Sequence, residues 1–175
     1  MILRVGIVTI SDRSSRGERE DVSGPVLQQQ IVDQGWLVSK LEIIPDDLET
    51  IKVLLASWAD GGELDLILTT GGTGFAPRDI SPEATQAIID RAAPGLAEAM
   101  RAASLQITPH AMLSRAVAGI RKFTLIVNLP GSPKAATENL AVILPVLPHA
   151  VQLLQNDPNS EAGHQIGTDF SNNSL

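Results

Sequence analysis

The chain has 175 residues, a formal net charge of −7 and no cysteine. The length fits one domain, the absence of cysteine excludes disulfides, thiolate metal ligands and a cysteine nucleophile, and the acidic balance argues against a nucleic-acid-binding protein. The N-terminal residues lack the basic start and cleavage site of a signal peptide, and their apolar run is too short to span a membrane, so we expect a cytoplasmic protein without a membrane partner.

The first 70 residues alternate between apolar strands and helices. Strands are predicted at residues 3–10, 37–44 and 64–69, and helices at residues 23–34 and about 48–60. The first strand is a continuous β-branched run, which is typical of a strand buried on both faces of a parallel sheet. The order strand, helix, strand, helix, strand predicts an α/β fold in which helices flank a parallel sheet.

Residues with known capping preferences mark the ends of these helices. Ser23 or Gly24 can cap the first helix, and Gly35 ends it. Asp46 or Asp47 can cap the second helix, and we assign that role to Asp47. The polar residues that precede the first helix, 11–20, are predicted to form a loop.

The second half of the chain contains three predicted helices and two short strands. The helices cover about residues 81–90, starting at Ser81 or Pro82, 95–105 and 134–154, with prolines 145 and 148 bending or splitting the last one. The strands cover residues 117–120 and 123–128 and are joined by a turn at Arg121-Lys122.

The composition becomes polar near the end of the chain. We therefore predict one domain over residues 1–155 and a flexible C-terminal tail over residues 156–175.

The strongest motif is a run of threonine and glycine directly after the third predicted strand. It reads Thr69-Thr70-Gly71-Gly72-Thr73-Gly74. Ligands of open parallel sheets bind beyond the carboxyl ends of the strands, where glycine lets backbone amides approach an anion and threonine adds hydroxyl donors. The motif lacks the lysine of a Walker A loop and the spacing of the dinucleotide fingerprint. It predicts a phosphate or nucleotide site, with a tight turn that needs glycine dihedrals as the structural alternative.

Two aspartates are candidates for a metal site near this loop. Asp46 follows the second strand, and Asp79 lies in a proline-flanked segment five residues beyond the glycine loop. Because strand ends converge on one edge of the sheet, the two carboxylates could face a shared cleft. Two carboxylates beside a phosphate loop favour a Mg²⁺ site over an acid–base pair. Asp79 could instead cap the next helix, although Ser81 can do so as well.

Two further strand ends carry polar or glycine-rich loops. Ser11-Asp12-Arg13 follows the first strand, and Asn128-Leu129-Pro130-Gly131-Ser132-Pro133 follows the last one. The three histidines are far apart in the sequence, which gives little support to a histidine metal site or a Ser-His-Asp triad.

Seven short motifs of this chain stand in an order known from one family. They are Ile10-Ser11-Asp12-Arg13, Ser23-Gly24-Pro25, Ile44-Pro45-Asp46, Leu68-Thr69-Thr70-Gly71-Gly72-Thr73-Gly74, Pro77-Arg78-Asp79-Ile80-Ser81-Pro82-Glu83-Ala84-Thr85, Met112-Leu113-Ser114-Arg115 and Asn128-Leu129-Pro130-Gly131. Over about residues 3–154 the chain thus resembles the MogA family, which includes the plant Cnx and gephyrin G domains. The wider fold group also contains MoaB and one domain of MoeA-type proteins, and residues 74–79 are more similar to the adenylyltransferase members.

The resemblance implies a three-layer αβα domain with a mostly parallel sheet that assembles as a homotrimer. It implies a molybdopterin adenylyltransferase, which transfers AMP from ATP to the terminal phosphate of molybdopterin with Mg²⁺ and releases pyrophosphate. The product could pass to a MoeA-type molybdenum insertase. Carried over by motif, Asp46 and Asp79 are the catalytic and metal-binding residues. The residues that would line the pterin and nucleotide cleft are Ser11, Thr70, Gly71, Gly72, Thr73, Gly74, Ser114, Asn128, Pro130, Gly131 and Ser132.

This chemistry agrees with the residues present. The phosphate of molybdopterin is mostly ionised at neutral pH, so the reaction needs positioning and charge neutralisation rather than a strong base. Arg78 or Lys134 could add positive charge. Alternatives are a MoaB-like paralogue and a non-catalytic molybdopterin-binding or scaffold domain; a nicotinamide-dependent oxidoreductase lacks its fingerprint.

Overall fold

Strands and helices alternate along residues 1–156, the part of the chain that the structure, a computed structural model, describes. The strands are β1 (Arg4–Ile10), β2 (Leu37–Ile44), β3 (Leu66–Thr70), β4 (Arg91–Ala92), β5 (Ala118–Arg121) and β6 (Thr124–Leu129). The α-helices are α1 (Asp12–Ser15), α2 (Ser23–Asp33), α3 (Leu48–Asp60), α4 (Ser81–Gln86), α5 (Pro94–Leu105), α6 (Pro133–Ile143) and α7 (Leu147–Leu154). Two 3₁₀ helices cover Pro109–Leu113 and Leu144–Val146.

The six strands form one mixed sheet in the order β2-β1-β3-β6-β5-β4. The four strands β2, β1, β3 and β6 are parallel, and β5 and β4 extend the sheet in antiparallel pairs. The mostly parallel α/β sheet expected from the sequence is therefore confirmed. Its parallel strands end at the same edge, because Ile10 pairs with Ile44 and Thr70 pairs with Leu129.

The side chains of successive strand residues point to opposite faces of the sheet, and each face is covered by helices. Val5 and Ile7 of β1 pack on the side of α2, α5, α6 and α7, whereas Val8 and Ile10 pack on the side of α3 and α4. The chain therefore forms three layers, with one aliphatic core on each side of the sheet.

Most helix ends form where the sequence predicts them. Gly35 ends α2 with φ +73°, a conformation that glycine adopts without strain. The side chain of Asp47 caps α3 by accepting a hydrogen bond from the amide of Thr50 at 2.8 Å. The expected cap of α2 is wrong, because both Ser23 and Gly24 lie inside the helix. The Asp21 carboxylate instead accepts hydrogen bonds from their backbone amides, at 3.0 and 3.1 Å.

Three local features differ from the sequence-based expectation. The predicted loop 11–20 contains the short helix α1, capped by Ser11. The helix at Ser81 ends at Gln86, and the next residues lead into β4, a two-residue edge strand too short to show a pattern in the sequence. The turn between β5 and β6 lies at Lys122, whose φ is +51°.

One helical segment is long and apolar enough to cross a membrane by length and composition alone. It is Pro133–Leu154, which joins α6, the second 3₁₀ helix and α7, and 28% of its apolar 18-residue stretch is buried. Its inward residues Leu140, Leu147 and Val151 are fully buried against the sheet, as in a helix that covers a core. The tail predicted over residues 156–175 lies, except for Asn156, outside the described part of the chain.

Candidate active site

The candidate site lies at the edge of the sheet where the parallel strands end. Four loops meet there: residues 11–22 after β1, 45–47 after β2, 71–80 after β3 and 130–132 after β6. The convergence that the sequence predicts is therefore present. It follows from the parallel register, which places the carboxyl ends of neighbouring strands side by side.

The glycine loop is fixed by Ser81 at the start of α4. The Ser81 hydroxyl donates to the Gly71 carbonyl at 2.8 Å, and the Ser81 amide donates to the Gly72 carbonyl at 3.1 Å. Within residues 1–156 the backbone amides of Gly72, Thr73 and Gly74 have no hydrogen-bond acceptor. Three adjacent unpaired donors at the carboxyl edge of a parallel sheet are suited to bind an anion.

Steric crowding shows why glycine is needed in this loop. Gly71 and Gly72 have φ values of +105° and +63°. A Cβ atom on Gly71 would collide with the carbonyl of Ile10, and one on Gly72 would collide with the hydroxyl of Ser81. The structural alternative, a turn that needs glycine dihedrals, is thus present, and the same backbone conformation leaves the amides unpaired.

Asp46 is held in a reciprocal pair with Asp12. The Asp12 amide donates to Oδ2 of Asp46 at 2.8 Å, and the Asp46 amide donates to Oδ1 of Asp12 at 3.1 Å. Arg78 contacts both residues of this pair: its Nη2 donates to Oδ1 of Asp12 at 2.9 Å and to the Asp46 carbonyl at 2.8 Å. Oδ1 of Asp46 has no donor among residues 1–156 and lies 3.3 Å from where a Cβ of Gly72 would stand.

Asp79 borders the same loop. Its Oδ2 accepts a hydrogen bond from the Ala76 amide at 2.8 Å and lies 2.8 Å from where a Cβ of Gly74 would stand. Its Oδ1 has no donor among the described residues. Burial, and to a smaller extent the negative charges of Asp12 and Asp79, raise the pKa of Asp46. The two aspartates predicted from the sequence therefore lie close enough to interact.

Two cavities open on either side of this loop. A polar cavity of about 400 Å³ is lined by Ser11, Thr70, Gly71, Gly131 and Ser132 among others. A more apolar cavity of about 280 Å³ lies on the α5 side and is lined by Thr73, Gly74, Ser114, Pro130 and residues of α5 and the first 3₁₀ helix. Nine of the eleven residues that the sequence predicted for the cleft line one of these two cavities. Gly72 and Asn128 do not, and Asp46 and Asp79 border the glycine loop without lining either cavity.

Asn128 does not line either cavity. Its side chain is fully buried, its amide donates to the hydroxyls of Thr69 and Thr85 at 2.9 Å each, and its Oδ1 accepts from the Val117 amide at 3.3 Å. Because the strand ends on Leu129, one residue later, Asn128 still points into the interior. In this structure it supports the cleft from beneath.

The two candidate basic residues are both paired. Arg78 forms an ion pair with Asp12, which lowers the pKa of the Asp12 carboxyl. Lys134 lies 3.8 Å from Glu138 in the first turns of α6 and is largely exposed. Arg19, which the sequence places in a short basic cluster with Arg13 and Arg16, lines the polar cavity.

The sequence does not reveal residues whose side chains act on the backbone of a distant loop. It indicates Ser81 only as a helix cap. It places Arg115 in a motif without giving it a role, yet the Arg115 side chain contacts the carbonyls of Gly74 and Asp79. No sequence signal specifies such contacts, because any arginine near a loop in space could make them.

Residues 6–149 match a family model described as "Probable molybdopterin binding domain". Molybdopterin adenylyltransferase of Helicobacter pylori (strain ATCC 700392 / 26695) is 42% identical over 156 residues, which cover 87% of this chain and 88% of that protein. Gephyrin of Dictyostelium discoideum is 45% identical over 166 residues, covering 89% of this chain and 23% of gephyrin. The chain therefore spans less than a quarter of gephyrin's length.

Solved structures give the same grouping. The molybdopterin biosynthesis enzyme MoaB from Thermus thermophilus superposes with a TM-score of 0.84 and 52% identity, covering 90% of this chain and 99% of that one. A structure of MogA superposes with a TM-score of 0.82 and 36% identity, covering 86% of this chain and 99% of that one. The fold, the ordered motifs and these matches agree, and the chain belongs to the MogA and MoaB family of molybdenum cofactor biosynthesis proteins, which carries the probable molybdopterin binding domain.

Proposed function

We propose that this protein is a molybdopterin adenylyltransferase, which transfers AMP from ATP to the terminal phosphate of molybdopterin. The observation that carries the proposal is the glycine loop, whose three unpaired amides lie between two carboxylates that each have a free oxygen. Relatives named molybdopterin adenylyltransferase, at 40–47% identity over most of the chain, support the same assignment.

The residues at the site fit Mg²⁺. Asp46 and Asp79 each use one carboxylate oxygen to hold the backbone and leave the other free. No group of three or more histidine, cysteine or acidic side chains that could hold a metal is found in residues 1–156, so the protein itself would supply two ligands. Mg²⁺ is commonly bound in this way, through one or two carboxylates together with substrate phosphates and water. When bound, it would neutralise charge on the phosphates.

The reaction that we propose breaks one P–O bond and forms another. A phosphate oxygen of molybdopterin attacks the α-phosphorus of ATP, and the bond to the β-phosphate breaks with release of pyrophosphate. The attacking phosphate is already mostly ionised, so the site needs no strong base. The amides of Gly72, Thr73 and Gly74 would donate to phosphate oxygens and offset repulsion between two polyanions.

The two cavities suit two substrates that meet at this loop. Each adjoins the glycine loop, one from the side of Ser11 and the other from the side of Ser114. If one substrate occupies each cavity, their phosphates approach across Gly71 to Gly74. Positioning of this kind contributes to rate by replacing a bimolecular encounter with a fixed geometry.

A second candidate function is that of a MoaB-like paralogue without strong adenylyltransferase activity. The observation in its favour is the 52% identity to the Thermus thermophilus MoaB, over 90% of this chain. A binding or scaffold role is the third candidate, since the chain also matches part of gephyrin.

The proposal includes the setting in which the protein works. We infer a cytoplasmic homotrimer that passes its product to a MoeA-type molybdenum insertase. Large apolar side chains that are exposed in the single chain, such as Ile107, Phe75 and Met112, agree with an assembly. Light scattering at micromolar concentration should give three times the mass of the chain, and a monomer would contradict this part.

The assay that separates these candidates is pyrophosphate release. The protein is mixed with ATP, Mg²⁺ and molybdopterin, and pyrophosphate is measured beside reactions that lack one component. An adenylyltransferase releases pyrophosphate only in the complete mixture and forms adenylylated molybdopterin in equal amount. A scaffold or a paralogue with another activity binds molybdopterin, measured by titration, without this release.

A further inference from the structure

A single arginine holds both ends of the loop that carries Asp79. Nε of Arg115 donates to the Gly74 carbonyl at 2.7 Å, and its Nη2 donates to the Asp79 carbonyl. These carbonyls are five residues apart, so one guanidinium bridges the two ends of segment 74–79. The Arg115 backbone amide adds a third bond, to the Thr73 carbonyl at 2.9 Å.

Apart from Arg115, the segment is held by one side chain of its own, Arg78, which donates to Oδ1 of Asp12 and to the Asp46 carbonyl. The segment contains neither helix nor strand. Within it, the Asp79 amide donates to the Ala76 carbonyl and the Ala76 amide donates to the Asp79 carboxylate, both at 2.8 Å. This internal pair fixes the turn that orients Asp79. Its ends are attached to the domain by Arg115 and by the bond from Ser81 to Gly72.

Arginine is suited to this contact and lysine is not. The guanidinium is a planar fork whose donors point in fixed directions, whereas an ammonium group is a single point of charge. Arg115 directs its third donor to the Glu83 carboxylate in the first turn of α4, which restrains the guanidinium from a further side. Since this ion pair is partly exposed, it contributes little to folding stability.

We propose that Arg115 is a positioning residue for the adenylyl-transfer site. It holds segment 74–79 so that Asp79 and the Gly74 amide face the reacting phosphates, although it need not touch a substrate itself. The inference rests on the proposed function for its catalytic consequence. Its structural half, that Arg115 orders this loop, is independent of the activity.

The test compares Arg115→Lys with Arg121→Lys. Arg121 is a matched control outside the site, because it also joins a carboxylate, that of Asp60, to a backbone carbonyl, that of Ile88 at 2.7 Å. Hydrogen–deuterium exchange of the peptide covering residues 73–80 and steady-state pyrophosphate release are measured on both variants and on the wild type.

In Arg115→Lys we expect exchange in residues 73–80 to become about tenfold faster, with β1 and β3 unchanged, because the loop opens locally. We expect kcat to fall about tenfold to a hundredfold, as for a small misplacement of a catalytic group, while the KM for molybdopterin changes little. Arg121→Lys should change neither the loop exchange nor the rate.

Each other outcome overturns part of the reasoning. Unchanged loop exchange in Arg115→Lys overturns the proposal, and so does faster exchange with an unchanged kcat in an active enzyme. If the wild type releases no pyrophosphate, the proposed function fails while the exchange data still decide whether Arg115 orders the loop. Should Arg115→Lys not fold, exchange in Arg115→Gln, whose shorter side chain cannot bridge the Gly74 and Asp79 carbonyls, decides instead: faster exchange confined to residues 73–80 supports the proposal, and unchanged exchange overturns it.

Discussion

Asp12 and Asp46 each accept a hydrogen bond from the other's backbone amide, at 3.1 and 2.8 Å. The pair joins the ends of β1 and β2, and it fixes the Asp46 carboxylate with Oδ2 occupied and Oδ1 free. The Asp79 carboxylate shows the same division, with Oδ2 on the Ala76 amide. In both Asp46 and Asp79, one carboxylate oxygen therefore holds the backbone and the other is free. The amide oxygen of asparagine can replace the oxygen that holds the backbone, but asparagine does not supply the negative charge of the free one.

We predict that Asp46→Asn and Asp79→Asn fold normally and transfer AMP poorly. The amide oxygen of asparagine can still accept the bonds from Asp12 and Ala76, so the loops keep their shape. The charge that is removed lies where charge on the phosphates shifts during transfer. Its loss should raise the activation free energy of transfer by an amount on the order of 3 kcal/mol. Binding of molybdopterin should stay near that of the wild type or tighten, since a negative charge beside a polyanion is removed. Single-turnover rates and binding titrations measure the two effects.

Asp47→Asn is the control for these variants. Asp47 is adjacent in sequence, but its carboxylate caps α3 through Thr50, and asparagine caps a helix nearly as well as aspartate. Turnover of Asp47→Asn should equal that of the wild type. An equal loss in Asp47→Asn, or normal turnover in Asp79→Asn, would show that the metal site is placed wrongly.

The sequence predicts the site at the level of strand ends. A βαβαβ pattern brings the carboxyl ends of parallel strands to one edge, so Asp46, Asp79 and the glycine loop can be placed together from their positions alone. The assignment of the α3 cap to Asp47 rather than Asp46 is also confirmed by the structure. These features are local or follow from topology, and therefore a pattern can reveal them.

Features that depend on three-dimensional contacts could not be predicted. Whether Asn128 faces the cleft or the interior depends on where β6 ends, a matter of a single residue. The role of Arg115 depends on a loop that is 41 residues away in sequence at Gly74. The Ser23 hydroxyl donates to the Gly131 carbonyl and does not cap α2. The Asp21 carboxylate accepts the hydrogen bond from the Ser23 amide instead.

The raised pKa of Asp46 predicts how the activity depends on pH. Its cause is burial first, and it places the titration of this carboxyl above the ordinary value of 3.8. Mg²⁺ binds the ionised carboxylate, so metal binding, and with it the activity at limiting Mg²⁺, should weaken as the pH falls through this raised pKa, at a higher pH than an ordinary aspartate would give. Asp12, whose pKa is lowered by its hydrogen bond to Arg78, should titrate below Asp46.

Carboxyl carbon NMR of the protein without substrates measures the two aspartates directly. Arg78→Gln should raise the pKa of Asp12, since the main cause of its lowering is removed. If Asp46 titrates at or below Asp12 in the wild type, burial does not control this carboxyl and the pH prediction fails.

The structure changes the choice of glycine variant for testing the phosphate loop. Gly72→Val would place a side chain against the Ser81 hydroxyl at φ +63°, so strain in the fold would obscure an effect on binding. Gly74 has no positive φ, and an added Cβ would meet the Asp79 carboxylate at 2.8 Å. We therefore predict that Gly74→Ala folds, shifts Asp79 and slows transfer.

Gly95→Ala is the matched control, because an added Cβ at Gly95 in α5 meets nothing within 4 Å. Alanine is the better helix former by about 1 kcal/mol, so this variant should be as stable as the wild type or more stable, with normal activity. Normal ATP titration and turnover in a folded Gly74→Ala protein would contradict the phosphate-loop assignment.

A surface ion pair far from the site should contribute to the loss of folding stability at acid pH. Hydrogen bonds from Arg121 and Lys122 lower the pKa of Asp60 to about 2 from its ordinary 3.8. Because the folded-state pKa is lower, the pair stabilises the fold above the unfolded-state value, and this stability is lost as the pH falls from 3.8 to about 2. Urea unfolding of Asp60→Asn should depend less on pH in this range than that of the wild type. Parallel curves would contradict the prediction.

Asn128 tests whether a residue of the family motif supports the fold or contacts a substrate. It is fully buried, and its three hydrogen bonds join β6 to Thr69 of β3, Thr85 of α4 and the Val117 amide. Asn128→Leu keeps the size of the side chain but leaves the buried hydroxyls of Thr69 and Thr85 without their donor and the half-buried Val117 amide without its acceptor, which costs about 1–3 kcal/mol in the free energy of unfolding. If Asn128 only supports the cleft, no contact with a bound substrate is lost in this variant. The KM values for ATP and molybdopterin should then stay within about twofold of the wild type. Unfolding in denaturant and steady-state kinetics measure the two quantities on the same protein. Unchanged stability together with a large rise in either KM would show that Asn128 reaches the substrate after all.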